Sequence, residues 1–170
     1  MRLRDQLWLS RSWTTRPRRP GEPEDAYVFV SREEFLERVA NGGFVEWTEF
    51  PGNGHLYGTP ALAPPAGHDI VLEIELEGAK QVKAAHPDAV LVMVTAPSPQ
   101  ARAERLRMRG DKEADIRRRL EVGEEEQRLG AEVADHVVVN DDLERAAGEL
   151  AAIVDRYRRG GAGRAVVRPG

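Results

Sequence analysis

Apolar and polar positions divide the chain into two regimes. In the first, Leu7-Trp8-Leu9 reads as a short strand, Ala26-Tyr27-Val28-Phe29-Val30 as a β-branched and aromatic strand, and Phe44 to Phe50 as an alternating one. Ser31, with Glu34 three positions on, forms a capping box, and Phe35, Leu36 and Val39 supply the buried stripe of a helix that Asn41-Gly42-Gly43 stops. The turn cluster Pro51-Gly52-Asn53-Gly54 leads into His55 to Pro60 and then a Pro/Ala/Gly linker from Ala61 to Gly67.

In the second regime, Ile70 to Ile74 and Ala89 to Val94 are nearly continuous apolar runs, the pattern of strands covered on both faces. Helices follow each. One runs from Gly78 to Ala85 with Val82 inward; the next opens on Ser98-Pro99, an N-cap and first-turn proline, and ends at Arg109-Gly110. Asp115 to Leu129 is a charged helix with few apolar positions, His136 to Asn140 a short buried strand. Asp141 caps a last helix through Tyr157, with Leu143, Ala147, Leu150 and Val154 in register. The Gly/Arg-rich tail, Arg158 to Gly170, is expected to be disordered. Strands alternating with helices predict an α/β fold, a parallel sheet flanked by helices, interrupted between Tyr27 and Pro60 by a small mixed β insert.

The 170 residues fit one domain. With no cysteine there is no disulfide or thiolate metal site, and a reducing compartment is the natural home. No apolar run reaches membrane-spanning length and no signal-peptide core precedes Leu7, so a cytoplasmic protein is expected. A net charge of -4 argues against a general nucleic-acid binder.

Chemistry concentrates in Ser12-Trp13-Thr14-Thr15-Arg16-Pro17-Arg18-Arg19-Pro20-Gly21-Glu22, where prolines keep hydroxyls, arginines and an acid out of a helix. That is the makeup of an anion-binding loop, because each guanidinium presents a planar fork of donors to phosphate oxygens.

Taken with motifs further along, this loop gives the chain a family resemblance. Ser-x-Ser-x-Thr-Thr-Arg-x-x-Arg-x-Gly-Glu at Ser10 to Glu22, Tyr-x-Phe-Val-Ser at Tyr27 to Ser31, and Phe-x-Glu-Trp at Phe44 to Trp47 come first. Tyr-Gly-Thr-Pro at Tyr57 to Pro60, Leu-Glu-Ile at Leu72 to Ile74, Arg-Leu-x-x-Arg-Gly at Arg105 to Gly110, and Val-Asn-Asp-Asp at Val139 to Asp142 follow in the same order. The chain resembles the guanylate kinase family from about Leu7 to Tyr157. The resemblance implies a P-loop kinase fold over residues 1–157, with a GMP-binding insert at about 12–60 and a lid at about 109–129, and a reaction that moves the terminal phosphate of ATP to GMP.

The same resemblance implies site residues. Arg16, Arg19, Tyr27 and Tyr57 match the groups that hold the GMP phosphate; Glu46 matches the carboxylate that reads guanine, with Ser12 and Thr59 beside the base. A carboxylate can accept from both the ring N1–H and the exocyclic amine, and adenine offers no such pair. Arg105, Arg109 and Arg119 would approach the ATP phosphates as the lid closes, Arg16, Arg109 and Arg119 taking catalytic roles, and Asn140 would border the adenine. Glu75 stands where relatives carry an aspartate near the nucleotides. Mg²⁺ is implied with ATP.

One departure matters most. Relatives begin with a strand and a Gly-x-x-x-x-Gly-Lys-[Ser/Thr] loop that cradles the ATP phosphates, and this motif occurs nowhere in the 170 residues. Met1 to Asp5 reads as the last turn of the helix after that loop, so the first strand of the sheet is expected to be missing, with neighbouring edges unpaired. Three origins fit: a start downstream of the natural one, a degenerate GMP-binding or protein-interaction module, or a loop supplied by a second chain. In each, the chain as written is expected to transfer phosphate poorly.

Overall fold

A computed structural model describes residues 6–51, 53–160 and 165–169. The first strand, β1 (Leu7–Leu9), leads into β2 (Trp13–Thr14) and β3 (Val28–Phe29), the latter shorter than its β-branched run suggests. Helix α1 (Arg32–Ala40) carries the expected capping box, Ser31 accepting from Glu34 N while Glu34 accepts from Ser31 N. Its stripe is narrower than expected: Phe35 is fully buried, but Leu36 is exposed. Strands β4 (Phe44–Glu49) and β5 (Leu56–Pro60) complete a mixed sheet in the order β3-β2-β5-β4, in which β2 and β3 run parallel and β5 antiparallel to both its neighbours. This sheet is the insert.

The main layer follows. Strand β6 (Asp69–Ile74), helix α2 (Leu76–Ala85), strand β7 (Val90–Thr95), helices α3 (Pro99–Met108) and α4 (Glu113–Val133), strand β8 (His136–Val139) and helix α5 (Leu143–Gly160) alternate as the apolar runs predict. Ser98 caps α3 by accepting from Ala101 N. β7 shows why its run is continuous. Leu91 packs with Leu72, Ile74, Ala79 and Val82 on one face, while Val90 and Val92 pack with Val138, Ala146, Ile153 and Val154 on the other. A third cluster, Ala103, Leu106 and Ile116, joins α3 to α4.

Two expectations need correction at the C-terminal end. The cap of α5 is Asp142, whose Oδ1 accepts from Arg145 N at 2.9 Å, and the core-facing stripe runs through Ala146, Leu150, Ile153 and Val154; Leu143 is 75% exposed and Ala147 also faces out. The tail, expected to be disordered, instead extends α5 to Gly160 and supplies a strand, β9 (Ala165–Pro169); residues 161–164 and 170 lie outside the described residues, as does the helical turn expected at Met1 to Asp5. Arg158 pairs with Asp69 and donates to Gln6 O, fastening the end of α5 to the start of the sheet.

β9 takes the middle of the main sheet, whose order is β1-β6-β9-β7-β8 with every pairing parallel. Ile70 to Ile74 pair with Ala165 to Pro169, and Val90 and Leu91 with Val166 and Val167. The unpaired edges anticipated between β6 and β7 are therefore closed by the chain's own C-terminal segment. The physical reason is that two parallel strands, each buried on both faces, leave a slot lined with unmet N–H and C=O groups, and an apolar Ala-Val-Val segment satisfies them.

Candidate functional site

The carboxyl ends of β6 and β7, the insert, and the facing sides of α3 and α4 enclose a cleft of about 370 Å³. Of the residues singled out in the sequence, Arg16, Arg19, Tyr27, Tyr57, Glu75, Arg105, Arg109, Arg119 and Asn140 line it. Ser12, Glu46 and Thr59 do not. They are buried behind it at 8%, 3% and 0% exposure.

Arg16 is the best-held of the cations. Glu22 grips it with both oxygens, at 2.8 Å to Nη1 and 2.6 Å to Nη2, and Nη1 also donates to Pro17 O. Its Nε–H and one Nη2–H remain for a ligand. The Tyr27 and Phe29 rings lie 5.1 and 5.5 Å from the guanidinium carbon, so the fork is fixed in plane as well as in position. Arg16 holds the Glu22 carboxyl at about 2, far below the usual range. Arg19 is the opposite case: burial, then the repulsion of Arg16 and Arg109, lowers its pKa, the mark of a cation waiting for an anion. Arg11, next to the loop, is turned away and donates to the backbone carbonyls of Glu24 and Tyr27.

Tyr27 and Tyr57 stand edge to face with centroids 6.3 Å apart, and Asn53 Nδ2 donates to the Tyr57 hydroxyl at 3.1 Å. Burial, then Glu73, raises the Tyr27 pKa, so the phenol keeps its proton to donate. Behind them, Glu46 on β4 and Thr59 on β5 are register partners, and Thr59 Oγ1 donates to Glu46 Oε1 at 2.6 Å. The other carboxylate oxygen rests on Gly78 in the first turn of α2, where a Cβ would fall 2.1 Å from it. Burial raises the Glu46 pKa and the Thr59 hydrogen bond opposes the rise.

The α3–α4 side is knit by acids. Arg109 reaches Asp111 at 3.2 Å and Arg119 lies 3.9 Å from the same carboxylate, while Arg105 Nη2 donates to Asn140 O at 2.7 Å. Between the two sides sits Glu75, whose carboxyl is pushed up to about 8 by burial and then by Glu126, with Arg119 and Arg102 opposing. The sequence reading missed Arg102, Asp111, Glu126 and Gly78. Arg102 was findable, since it shares a helix face with Arg105 and Arg109 at the i, i+3, i+7 spacing. Glu126 reaches the cleft only through the packing of α4, and Asp111 bears on it only through Arg109 and Arg119, which no local pattern announces.

Among the described residues no group of three His, Asp or Glu side chains is placed to hold a metal ion. No described helix is long and apolar enough to cross a membrane. The arrangement can bind phosphate at two places, with a carboxylate poised behind the first.

Comparison with known proteins gives this arrangement its context. A family model described as guanylate kinase matches residues 3–157. A guanylate kinase of Thermus thermophilus is 46% identical over 162 residues, covering 92% of this chain and 72% of that protein. That of Rubrobacter xylanophilus is 44% identical over 162 residues, covering 92% and 83%. The crystal structure of guanylate kinase from Anaplasma phagocytophilum superposes with a TM-score of 0.72 at 29% identity, covering 91% of this chain and 77% of that one. With fold, motif order and sequence in agreement over nearly the whole chain, it belongs to the guanylate kinase family.

Proposed function

We propose that the cleft receives GMP as phosphoryl acceptor and ATP as donor, the guanylate kinase reaction that yields GDP and ADP in purine nucleotide metabolism. The observation that carries this reading is the convergence of Arg16, Arg19, Tyr27 and Tyr57 from the insert with Arg105, Arg109, Arg119 and Asn140 from the other wall on one cavity. The first four suit a monophosphate dianion: Arg16 offers two free N–H groups, Arg19 an uncommitted guanidinium, and the tyrosines two phenols. Glu46 reads the base, with Thr59 and Ser12 beside it, once the first turn of α2 gives way by the thickness of a ring. Arg109 and Arg119 exchange Asp111 for donor phosphates as α4 closes, placing positive charge where the transferred group spreads its negative charge and excluding water. Mg²⁺ would come with ATP and be held through phosphates and water, since the described residues offer no three-carboxylate cage. A cytoplasmic setting, where both nucleotides are found, fits the reading.

A second reading has a specific observation behind it. No Gly-x-x-x-x-Gly-Lys-[Ser/Thr] segment occurs in the 170 residues, and the middle of the sheet is held by β9. A module that binds GMP, or a protein partner, without turnover needs only the insert. Calorimetric titration with GMP and a coupled assay with ATP plus GMP separate the two. The 170-residue chain is expected to bind GMP and turn over slowly, and Arg16→Ala to weaken GMP binding about 10- to 100-fold, the range for a lost charged hydrogen-bond pair. Absence of GMP binding refutes the first reading and the GMP-binding form of the second; turnover at ordinary kinase rates refutes the second.

A further inference from the structure

We propose that Arg102 is a further ligand for the phosphates of the donor nucleotide, seated in the cleft because position 123 is glycine. The inference rests on the donor site proposed above. Arg102 lines the cleft from α3, the helix that also carries Arg105, and shares its face with Arg105 and Arg109; Ala103 turns the other way, into the contact with Ile116 on α4, while Leu106 both joins that contact and borders the cleft.

Its neighbours are committed and it is not. Arg105 is bonded to Asn140 O, Arg109 to Asp111, and Arg119 lies beside the same Asp111. Among the described residues the Arg102 guanidinium has no hydrogen bond and no ion pair, although its backbone N–H makes the ordinary helical bond to Ser98 O.

What fixes it is shape. The guanidinium fills the space left by the missing side chain of Gly123 on α4: a Cβ there would fall 1.8 Å from Nη1, 2.3 Å from Cζ and 2.6 Å from Nη2. A side chain at 123, alanine included, would push the guanidinium end of Arg102 out of that space. A guanidinium laid on helix backbone, with its donors unspent and its edge in a nucleotide cleft, is preorganised for a bidentate oxyanion. The nearby carboxyls do not satisfy it. Glu75 and Glu126 are both raised by burial toward the neutral form, with Arg102 opposing the rise in each. With Arg105, Arg109 and Arg119, Arg102 makes a fourth guanidinium fork on this wall, where the transferred group spreads its negative charge.

The test is calorimetric titration of the 170-residue chain with ATP, inorganic tripolyphosphate and GMP separately. Arg102→Ala is expected to weaken ATP and tripolyphosphate about tenfold and to leave GMP unchanged, while Arg117→Ala, which removes the same charge from an exposed site outside the cleft, changes neither. Gly123→Ala should match Arg102→Ala, and the double variant should be no worse than either single. Should alanine at 102 unfold the protein, Arg102→Gln, which keeps the length and loses the charge, gives the same comparison.

Unchanged ATP affinity in a folded Arg102 variant overturns the proposal. So does an additive double variant, or a loss of GMP affinity without a loss for ATP, which would make Arg102 a counter-ion for Glu75. Unchanged ATP affinity on losing Arg102 overturns this inference alone, whereas an unaltered chain that binds neither ATP nor tripolyphosphate, or that ignores GMP, overturns the reading beneath it.

Discussion

At the scale of single residues, two carboxyls, Glu46 buried and Glu75 half-buried, make the sharpest predictions. Glu46 is wedged between Thr59 and Gly78, and its outer oxygen lies where a Cβ at position 78 would be. Gly78→Ala should displace that carboxylate while sparing Arg16 and Arg19, so discrimination between GMP and IMP, which lacks the exocyclic amine, is expected to collapse. Measuring both affinities tests it, and an unchanged ratio counts against Glu46 as the reader of the base. Glu75 concerns pH. Its carboxyl sits at about 8 in the folded chain against 4.5 as the reference, so folded protein holds the proton more tightly and stability is lost as pH rises from about 4.5 through 8. Glu75→Gln should flatten that part of the curve of melting temperature against pH. Glu22 has the opposite sign: held at about 2, it contributes above 4.5 and its contribution fades as pH falls toward 2. The arginines and tyrosines of the cleft were legible because their motif is local and polar. Arg102 lay in plain view but needed Gly123, a contact across helices, to show its use.

At the scale of elements, helices with a strong cap were read well and those decided by tertiary contact were not. Ser31 and Ser98 mark α1 and α3 because each hydroxyl accepts from the backbone N–H three positions on, a bond set by local sequence. In α5 two adjacent alanines, 146 and 147, left the register ambiguous, and the packing chose the stripe through Ala146, Ile153 and Val154. That choice is measurable. Ile153→Ala should cost about 2–5 kcal/mol in chemical denaturation, as for other buried large-to-small changes, and Leu143→Ser, at an exposed position, should stay within about 0.5 kcal/mol. β2 and β3 span two residues each and owe their existence to pairing within the insert; Trp13 and Thr14 join β5 through Gly58 and Tyr57. Elements that short have no period to read.

At the scale of the whole molecule, the parallel sheet was foreseen from its continuous apolar runs, and its middle strand was not. Ala165-Val166-Val167 sits in a Gly/Arg-rich stretch that reads as solvent-loving, and only the slot between β6 and β7 makes it a strand. Deleting residues 161–170 should therefore lower the melting temperature by well over the roughly 2–4 °C that each kcal/mol is worth in a domain of this size. It should also weaken GMP binding, because Glu73, Glu75 and Thr95 line the cleft from the ends of the strands that β9 joins. Retained stability on deletion would mean that the slot closes without it. The same placement bears on how the chain finds its shape. The segments that meet at Ile70 and Ala165 are roughly a hundred residues apart, a loop whose closure slows the search for the native arrangement. The two flanking hairpin-free halves of the sheet can assemble early, each with an adhesive border toward the other, and remain open to self-association until the last partner arrives. Refolding yield should fall with protein concentration, and dilution should restore it.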